Sequence, residues 1–258
     1  MVRTYVVTGS ASGIGRATCE RLEADGHRVI DVDLHDATIV ADLAKPAGRR
    51  TLVEEVTVAS GGVVDAVIAN AGTQASPELC VRVNHFGAVA TAEGLRPLLA
   101  ESAAPRVVVT ASSSVLNGHT PELVDACLAG EEERAVAIAL VGHELLAYPS
   151  TKRALARWVR REAVRPEWAG AGIALNAVAP GIVETPLLAP LLGDPAMVEL
   201  MDAAVPMPLG GRCQPEHVAE VIAFLAAPTT ERIAGQVLFV DGGADAVLRG
   251  DDVWGPPV

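Results

Sequence analysis

Three glycines separate a short apolar segment from an amphipathic one near the start of this chain. The motif is Thr8-Gly9-Ser10-Ala11-Ser12-Gly13-Ile14-Gly15. The first glycine permits a tight turn, the second lets the backbone approach a pyrophosphate, and the third allows a helix to pack closely on a sheet. The first amides of that helix then face the phosphates. The motif therefore predicts a strand–loop–helix unit that binds a dinucleotide.

Apolar segments with strand and helix character alternate along the rest of the chain. Strands are predicted at residues 5–8, 28–32, 38–40, 65–69, 106–111, 173–179 and 236–240. Helices are predicted at residues 13–25, 47–58, 81–100, 148–165 and 214–226. The alternation predicts a Rossmann-type α/β fold, with a doubly wound parallel sheet in three layers. No linker or repeat interrupts it, so residues 1–258 are predicted to form a single dinucleotide-binding domain.

Two stretches depart from the alternation. Residues 121–143 are rich in Glu and Ala and predict an extra, partly exposed helix, so that a helical insertion spans about 116–146. Residues 180–208 are rich in proline and leucine and are expected to be irregular. An apolar segment over a ligand site is typical of a mobile lid, which is placed at about 186–208. The same leucines and methionines would also suit ordinary core packing.

Composition limits the partners and the compartment. A net charge of −12 disfavours binding to nucleic acid or to an anionic membrane surface. The four cysteines form no CxxC pair and have no histidine at metal-ligand spacing, so free thiols and no metal are expected. The first residues do not resemble a signal peptide, and no segment has the apolar length of a membrane helix. A cytoplasmic protein is expected.

A carboxylate follows the second predicted strand. Asp33 could accept hydrogen bonds from both hydroxyls of an adenosine ribose and would repel a 2′-phosphate. This favours NAD over NADP. Asp31 is the rival acid, and the alternation of side chains along the strand is expected to turn it elsewhere. Asp42 is a possible partner for the adenine amino group, although it could equally be an ordinary surface carboxylate.

A tyrosine and a lysine stand four residues apart on one predicted helix. Tyr148 and Lys152 therefore lie on the same helix face, in a chain with only two tyrosines and two lysines. A nearby ammonium favours the phenolate and would let the tyrosine exchange a proton while hydride moves at carbon. Ser112, Ser113 and Ser114 follow the fifth predicted strand, where a hydroxyl can hold the substrate oxygen. Asn84 could cap the long helix or position a water near the lysine.

Taken together, these motifs resemble the short-chain dehydrogenase/reductase family. Those that carry the resemblance are Thr8-Gly9-x-x-x-Gly13-Ile14-Gly15, Asp42, Asn70-Ala71-Gly72, Asn84, the serine after strand five, Tyr148-x-x-x-Lys152, Asn176 and Pro180-Gly181. The resemblance implies that Ser112, Tyr148, Lys152 and Asn84 are catalytic, with Ser114 as the alternative serine. It places cofactor contacts at Gly9, Ser12, Gly13, Ile14, Gly15, Asp33, Leu34, Asp42, Leu43, Asn70, Ala71, Gly72, Tyr148, Lys152, Pro180, Gly181, Ile182 and Thr185.

Two departures from the family pattern restrict the resemblance to part of the family. Position 69 is alanine, where the family often has a first asparagine. The predicted insertion also separates Ser112 from Tyr148 by 36 residues, where the family has about a dozen. The segments 31–43, 130–132, 184–188 and 241–247 are similar to bacterial 3α-hydroxysteroid dehydrogenase/carbonyl reductases.

That resemblance implies NAD-dependent interconversion of a secondary alcohol and a ketone on a small hydrophobic substrate such as a 3α-hydroxysteroid. A reductase for a non-steroid ketone and an inactive NAD-binding sensor are the alternatives. The family pairs subunits through the helix near Val81 and the Tyr148 helix. Because the insertion adjoins that surface, a homo-oligomer is expected, with a dimer favoured over a tetramer.

Overall fold

Seven parallel strands form one sheet in the order β3-β2-β1-β4-β5-β6-β7. The structure, a computed structural model, describes residues 1–254, apart from the side chain of Pro190, and residues 255–258 of the predicted domain lie outside that range. The strands are β1 Thr4–Thr8, β2 Arg28–Asp33, β3 Ile39–Val40, β4 Ala66–Ala69, β5 Arg106–Thr110, β6 Ala174–Pro180 and β7 Val237–Val240. Each agrees with its predicted strand to within one or two residues, and the predicted Rossmann-type fold is confirmed.

Helices cover both faces of the sheet because both faces of its central strands are apolar. One face is packed by α2 (Pro46–Ser60), α4 (Ala88–Leu95) and α7 (Glu144–Glu162). The other is packed by α1 (Gly13–Ala24) and α10 (Pro215–Ala226). Strand β5 shows the consequence, since all five of its residues are buried. The few aromatic residues leave Val, Leu, Ile and Ala to fill both cores.

The helix predicted at 81–100 begins earlier and is not uniform. It starts at α3 (Pro77–Leu79), where the Ser76 hydroxyl caps it by accepting from the Leu79 amide at 3.2 Å. A π-helical segment, Cys80–Gly87, leads into α4, and a 3-10 turn, Arg96–Leu99, ends it. Within residues 1–254, no helix is long and apolar enough to cross a membrane.

The insertion is a pair of helices, so the single helix predicted at 121–143 is wrong. They are α5 (Pro121–Leu128) and α6 (Glu132–Val141), and Gly130, at φ 77°, breaks the chain between them. The pair has its own small core, in which Leu123, Val124 and Val136 pack against Cys80 and Val81. Thr120 donates its amide to Ser150 Oγ at 2.9 Å, which fixes the insertion to α7.

Three further boundaries differ from expectation. Helix α7 begins at Glu144 rather than Tyr148, because the His143 side chain accepts from the Leu145 amide and caps an earlier turn. The stretch expected to be irregular contains α8 (Ala189–Leu192) and α9 (Pro195–Ala204). In both, a proline occupies the first turn, where helices tolerate it. A last helix, α11 (Ala244–Arg249), was not expected.

Candidate active site

Because all strands are parallel, their carboxyl ends share one edge of the sheet. Five of the strands end beside predicted site residues. Their last residues are Thr8, Asp33, Ala69, Thr110 and Pro180. The strand order reverses between β1 and β4, and ligands of open α/β folds bind in the crevice at that position. Every predicted catalytic residue lies on a loop or helix that follows one of these strand ends.

The glycine loop is held closely against the start of α1. Gly9 and Gly13 have φ of 71° and 52°, in the left-handed region that favours glycine. A Cβ atom on Gly15 would overlap the carbonyl oxygen of Gly9, so only glycine fits there. Ser12 lies at the N-cap of α1 and its side chain makes no capping bond. Its exposed hydroxyl is therefore available to a ligand.

One serine of this loop indicates what the loop could hold. Ser10 is buried, and its hydroxyl has no hydrogen-bond partner among the described residues. A buried hydroxyl without a partner costs free energy unless a bound group satisfies it. The first amides of α1 lie close by and favour an anion. The loop therefore fits the pyrophosphate of a dinucleotide cofactor.

Asp33 is fixed at the end of β2 beside the glycine loop. Its Oδ2 accepts from the Ala11 amide at 2.8 Å and its Oδ1 from the Leu34 amide at 2.6 Å. Asp31 accepts instead from the Thr38 amide at 2.9 Å and so stabilises the β2–β3 turn. The expectation that strand alternation separates the two acids is wrong, since residues two apart share a face. Their different positions along β2 separate them.

The next cofactor candidates have different surroundings. Leu34 is exposed beside Asp33. The Asp42 carboxylate pairs with Lys45 Nζ at 2.9 Å, and this contact lowers the pKa of Asp42. Leu43 is buried in the core, and a side chain on Gly87 would touch its Cβ. The structure therefore places Leu34 and Asp42 at the surface, and the side chain of Leu43 away from it.

Asn70 joins three strands at the edge of the sheet. Its Nδ2 donates to the Thr8 carbonyl at 3.2 Å, and its Oδ1 accepts from the Thr110 hydroxyl at 3.0 Å. The amides of Asn70 and Ala71 both donate to Thr8 Oγ1, at 3.1 and 3.2 Å. The Asn70-Ala71-Gly72 turn is thus locked between the glycine loop and β5.

Lys152 is the most deeply buried cation near the site. Only 3% of its surface is exposed, and its Nζ donates to the Thr110 carbonyl at 2.6 Å. The Nζ also lies 5.8 Å from the centre of the Tyr148 ring. Burial lowers the pKa of this lysine to about 8, since desolvation disfavours the ammonium. The ammonium is therefore held beside the tyrosine in a site that stabilises charge poorly.

Tyr148 faces the serine that follows β5. Burial raises the pKa of the Tyr148 hydroxyl to about 12, while hydrogen bonding to Ser112 and Gln74 opposes the rise. Ser112 is buried, and its Oγ accepts from the Ser114 amide at 3.1 Å. The Ser114 hydroxyl is buried and finds no partner in the described part of the chain. Of the two candidate serines, Ser112 is the one that lowers the pKa of Tyr148.

Asn84 clamps the loop that follows β4. Its Oδ1 accepts from the Thr73 amide at 2.7 Å, and its Nδ2 donates to the Thr73 carbonyl at 2.9 Å. It does not cap a helix, as the sequence allowed, because it lies inside the π-helical segment. A Cβ on Gly72 would be 3.3 Å from Asn84 Oδ1 and 3.4 Å from Lys152 Nζ. The asparagine therefore lies close to the lysine, across this glycine.

The segment after β6 closes the other side of the crevice. The Ile182 amide donates to Met207 Sδ at 3.2 Å, and a Cβ on Gly181 would touch the same methionine. A Cβ on Gly13 would lie 3.0 Å from Thr185 Cγ2, so this segment approaches the glycine loop directly. The segment around Thr185 therefore lies directly against the glycine loop.

Three residues of the site were missed by sequence reasoning. Gln74 lowers the pKa of Tyr148, Cys80 donates to the Thr73 carbonyl at 3.4 Å, and the Met207 sulfur accepts from the Ile182 amide. Gln74 follows Gly72 by two positions, so its place in a turn at the sheet edge was the available signal. No pattern marks Cys80 or Met207, since both are apolar residues inside apolar segments.

Comparison with known proteins gives a consistent assignment. A family model described as "Enoyl-(Acyl carrier protein) reductase" matches residues 9–245. The 3-alpha-hydroxysteroid dehydrogenase/carbonyl reductase of Comamonas testosteroni is 38% identical over 254 residues, which cover 95% of this chain and 97% of the relative. The cis-4-hydroxycyclohexanecarboxylate dehydrogenase of Sinomonas cyclohexanicum is 36% identical, with coverages of 95% and 97%.

A solved structure agrees with these relatives. The 3-alpha-hydroxysteroid dehydrogenase of Pseudomonas sp. B-0831, complexed with NADH, is 43% identical, with a TM-score of 0.90 over 96% of this chain and 99% of that one. The family model and the relatives cover nearly the whole chain, including every element that carries the site. The chain belongs to the short-chain dehydrogenase/reductase family of oxidoreductases.

Proposed function

We propose that this enzyme interconverts a secondary alcohol and a ketone, with NAD as the hydride carrier and a hydrophobic, cyclic substrate such as a 3α-hydroxysteroid. The observation that carries the proposal is the buried Lys152 ammonium beside Tyr148, with Ser112 at the tyrosine hydroxyl. These groups can hold a carbinol oxygen and move its proton. The reaction chemistry is therefore argued from the site, and the substrate class from the relatives.

In the proposed mechanism, Tyr148 is the acid–base residue. In the oxidation direction, the tyrosinate takes the hydroxyl proton of the alcohol, and Ser112 holds the same oxygen. The bound nicotinamide supplies the hydride acceptor. Lys152 favours the tyrosinate through its charge, as an opposite charge does for any acid. Acid–base help of this kind contributes about 10²–10⁴ in rate. Asn84 would position the loop and the lysine.

The remaining predicted cofactor residues would hold the dinucleotide along the crevice. The glycine loop, with Ser12 and Ile14, would bind the pyrophosphate, and Asn70, Ala71 and Gly72 would line the ribose side. The other proposed contacts are Leu34, Asp42, the Leu43 backbone, Pro180, Gly181, Ile182 and Thr185.

The choice of NAD over NADP would depend on Asp33. Its two oxygens each accept one amide and retain lone pairs toward the crevice edge. A carboxylate can accept from the ribose hydroxyls, whereas a 2′-phosphate at contact would be repelled by about 4 kcal/mol per unit charge pair at an effective dielectric constant near 20. The Pseudomonas relative was solved with NADH, which supports this choice.

Residues 186–208 are proposed as the lid over the substrate. Leu187, Leu192 and Leu200 are exposed there by 40%, 37% and 52%. Leu188 is buried instead, in a small cluster with Ile182 and Ala244. A segment with exposed leucines on one side and a fixed anchor on the other suits an apolar ligand beneath it.

A single domain that forms a homodimer is also part of the proposal. The insertion packs on Cys80, Val81, Ala147 and Ala154, so it covers the surface of the two helices through which this family was expected to pair. Because the insertion adjoins that surface, a dimer is proposed rather than a tetramer. Light scattering on the purified protein should therefore give twice the chain mass, and four times the chain mass would contradict this.

The first test is turnover of a 3α-hydroxysteroid such as androsterone, followed by the absorbance of reduced cofactor, with NAD and NADP in parallel. Rapid turnover with NAD alone supports the steroid and the role of Asp33. The 3β epimer then tests stereochemistry. No turnover with either cofactor would refute the steroid assignment.

A second substrate class is favoured by the Sinomonas relative, which is named for a hydroxycyclohexanecarboxylate. A simple cyclic alcohol panel, with and without a carboxylate, separates this class from steroids. The inactive-sensor alternative is tested by Tyr148→Phe. That variant should bind NADH like the wild type and lose at least 10² in turnover; unchanged turnover would remove the tyrosine from the mechanism.

A further inference from the structure

The insertion contacts α2 through one charged pair. Glu132, the first residue of α6, accepts from Arg49 Nη1 and Nη2 through its two carboxylate oxygens, both at 2.7 Å. Arg49 lies in α2, 83 positions earlier in the chain. The two side chains are only 12% and 18% exposed. Because a charge-assisted pair with two parallel bonds fixes the plane of the guanidinium, the insertion determines how Arg49 is oriented.

The oriented guanidinium holds two backbone carbonyls. Its Nε donates to the Leu43 carbonyl at 2.7 Å, and its Nη2 donates to the Arg82 carbonyl at 2.8 Å. The Leu43 carbonyl belongs to the loop between β3 and α2, where Asp42 and the Leu43 backbone are proposed cofactor contacts. The Leu43 amide donates to no acceptor in the described part of the chain, so this donor remains for a bound group.

The same loop is packed tightly by two glycines. A Cβ atom on Gly48, in the first turn of α2, would overlap the Asp42 carbonyl. A Cβ atom on Gly87 would lie 3.1 Å from the Leu43 Cβ. Helix α2 and the π-helical segment therefore enclose the loop from two sides. The hydrogen bond from Arg49 adds a fixed point directly beside the proposed cofactor contacts.

Removal of the Glu132 carboxylate would leave Arg49 without a counter-ion. Arg82 also lies against this carboxylate, with its Nη1 3.3 Å from Glu132 Oε1, but it has a further partner in Glu133 at 2.8 Å. Within residues 1–254, Arg49 has no second ion-pair partner. A largely buried cation without a counter-ion is unfavourable. The Arg49 side chain should then turn toward solvent and release the loop carbonyl.

We propose that Glu132 is a positioning residue for the adenosine half of the cofactor, which acts by holding Arg49 against the Leu43 carbonyl. The inference rests on the cofactor site proposed above. Glu132 touches no reacting group, so its effect is expected on the affinity for the adenosine half and not on hydride transfer. A helix of the insertion thus takes part in cofactor binding.

The test is calorimetric titration of ADP-ribose, which carries the adenosine and the pyrophosphate without the nicotinamide, into the wild type and Glu132→Ala. The Kd should rise about tenfold in the variant, as expected for the loss of about one hydrogen bond to the ligand. The number of sites per chain should not change. Loss of an acidic side chain by itself would favour an anionic ligand, so weaker binding does not follow from the change in net charge.

Two further variants connect the effect to the Arg49 contact. Glu133→Ala is the matched control, because it changes the net charge equally and Glu133 pairs with Arg82 instead. Its Kd for ADP-ribose should equal that of the wild type. Arg49→Met should weaken binding as much as Glu132→Ala does. The double variant should bind no more weakly than either single variant, because the two side chains act as one unit.

Steady-state oxidation of the alcohol separates positioning from catalysis. Glu132→Ala should raise the KM for NAD and leave kcat at saturating NAD unchanged, as expected when an interaction contributes equally to the ground state and the transition state. A lowered kcat with an unchanged KM for NAD would contradict the proposed role.

An unchanged Kd for ADP-ribose in Glu132→Ala, or an equal rise in Glu133→Ala, would overturn the inference. Fewer sites per chain with an unchanged Kd would also overturn it, since that result shows loss of folded protein only. If Glu132→Ala does not fold, Glu132→Gln replaces it, because its amide oxygen still accepts from Arg49. Its Kd should rise in the same direction, and a wild-type Kd would reject the role of the carboxylate.

The wild type distinguishes the two levels of failure. If it binds neither ADP-ribose nor NADH, the proposed cofactor site fails, and the role of Glu132 fails with it. If the wild type binds both ligands and Glu132→Ala binds them equally well, only the role of Glu132 fails.

Discussion

Replacing Lys152 by methionine should make the enzyme more stable as well as inactive. Burial lowers the pKa of Lys152 from its ordinary 10.5 to about 8, and each unit corresponds to about 1.4 kcal/mol. The folded state thus carries a penalty of about 3 kcal/mol at neutral pH. Methionine occupies a similar volume without charge. The Thr110 carbonyl then loses its donor, which costs about 1 kcal/mol. A net gain of about 2 kcal/mol is expected.

The pH dependence of this gain follows from the direction of the shift. The folded pKa lies below the unfolded one, so the unfolded chain binds the extra proton between about pH 8 and 10.5. The penalty is full below about pH 8 and disappears as the pH rises to 10.5. At pH 9.5 it should be about half its neutral value. The difference in the free energy of unfolding between the wild type and Lys152→Met should therefore decrease as the pH rises above about 8.

Urea unfolding at pH 7 and 9.5 measures both effects, without cofactor, because a ligand of the folded state would stabilise the wild type. Lys45→Met is the matched control, since the other lysine of the chain is exposed and pairs with Asp42 at the surface. It should change stability by less than about 1 kcal/mol. A Lys152→Met protein no more stable than the wild type at pH 7 would refute the desolvation argument.

Three further changes test other parts of the structure. Asp33→Ala should lower the ratio of kcat/KM for NAD over NADP at least tenfold, on the order of the repulsion it removes; an unchanged ratio in steady-state assays would contradict its role. Glu132→Ala should cost about 2 kcal/mol in urea unfolding, because its half-buried carboxylate bridges two arginines. Glu133→Ala, at an exposed ion pair, should cost much less than Glu132→Ala, and equal losses would show that burial is not the cause. Gly15→Ala should abolish NADH binding measured by calorimetry, because the added methyl overlaps the Gly9 carbonyl; wild-type affinity would refute the tight-loop argument.

The sheet and the glycine loop were predictable because short-range rules determine them. Apolar runs mark buried parallel strands, and the glycines mark a turn that no other residue makes at Gly9. The Tyr148 and Lys152 pair was predictable because helical spacing places them on one face. For these features, residues close together in the sequence are enough to determine the structure.

Features that neither propensity nor apolar patterning determines were not predictable. The start of α7 at Glu144 depends on a cap from His143, which propensity alone does not single out. The π-helical segment places Asn84 toward Thr73, and nothing in its sequence requires that winding.

The hydrogen bond from the Thr120 amide to Ser150 Oγ bears on how related enzymes are recognised from their sequences. It brings the departure and the return of the α5–α6 excursion together, so the chain leaves and rejoins the catalytic framework at nearly the same point. The entropy of closing such a loop grows only slowly with its length. The number of residues between a catalytic serine and its tyrosine therefore measures the size of an appendage, not the geometry of a site. Searches that demand a fixed interval would pass over enzymes built like this one.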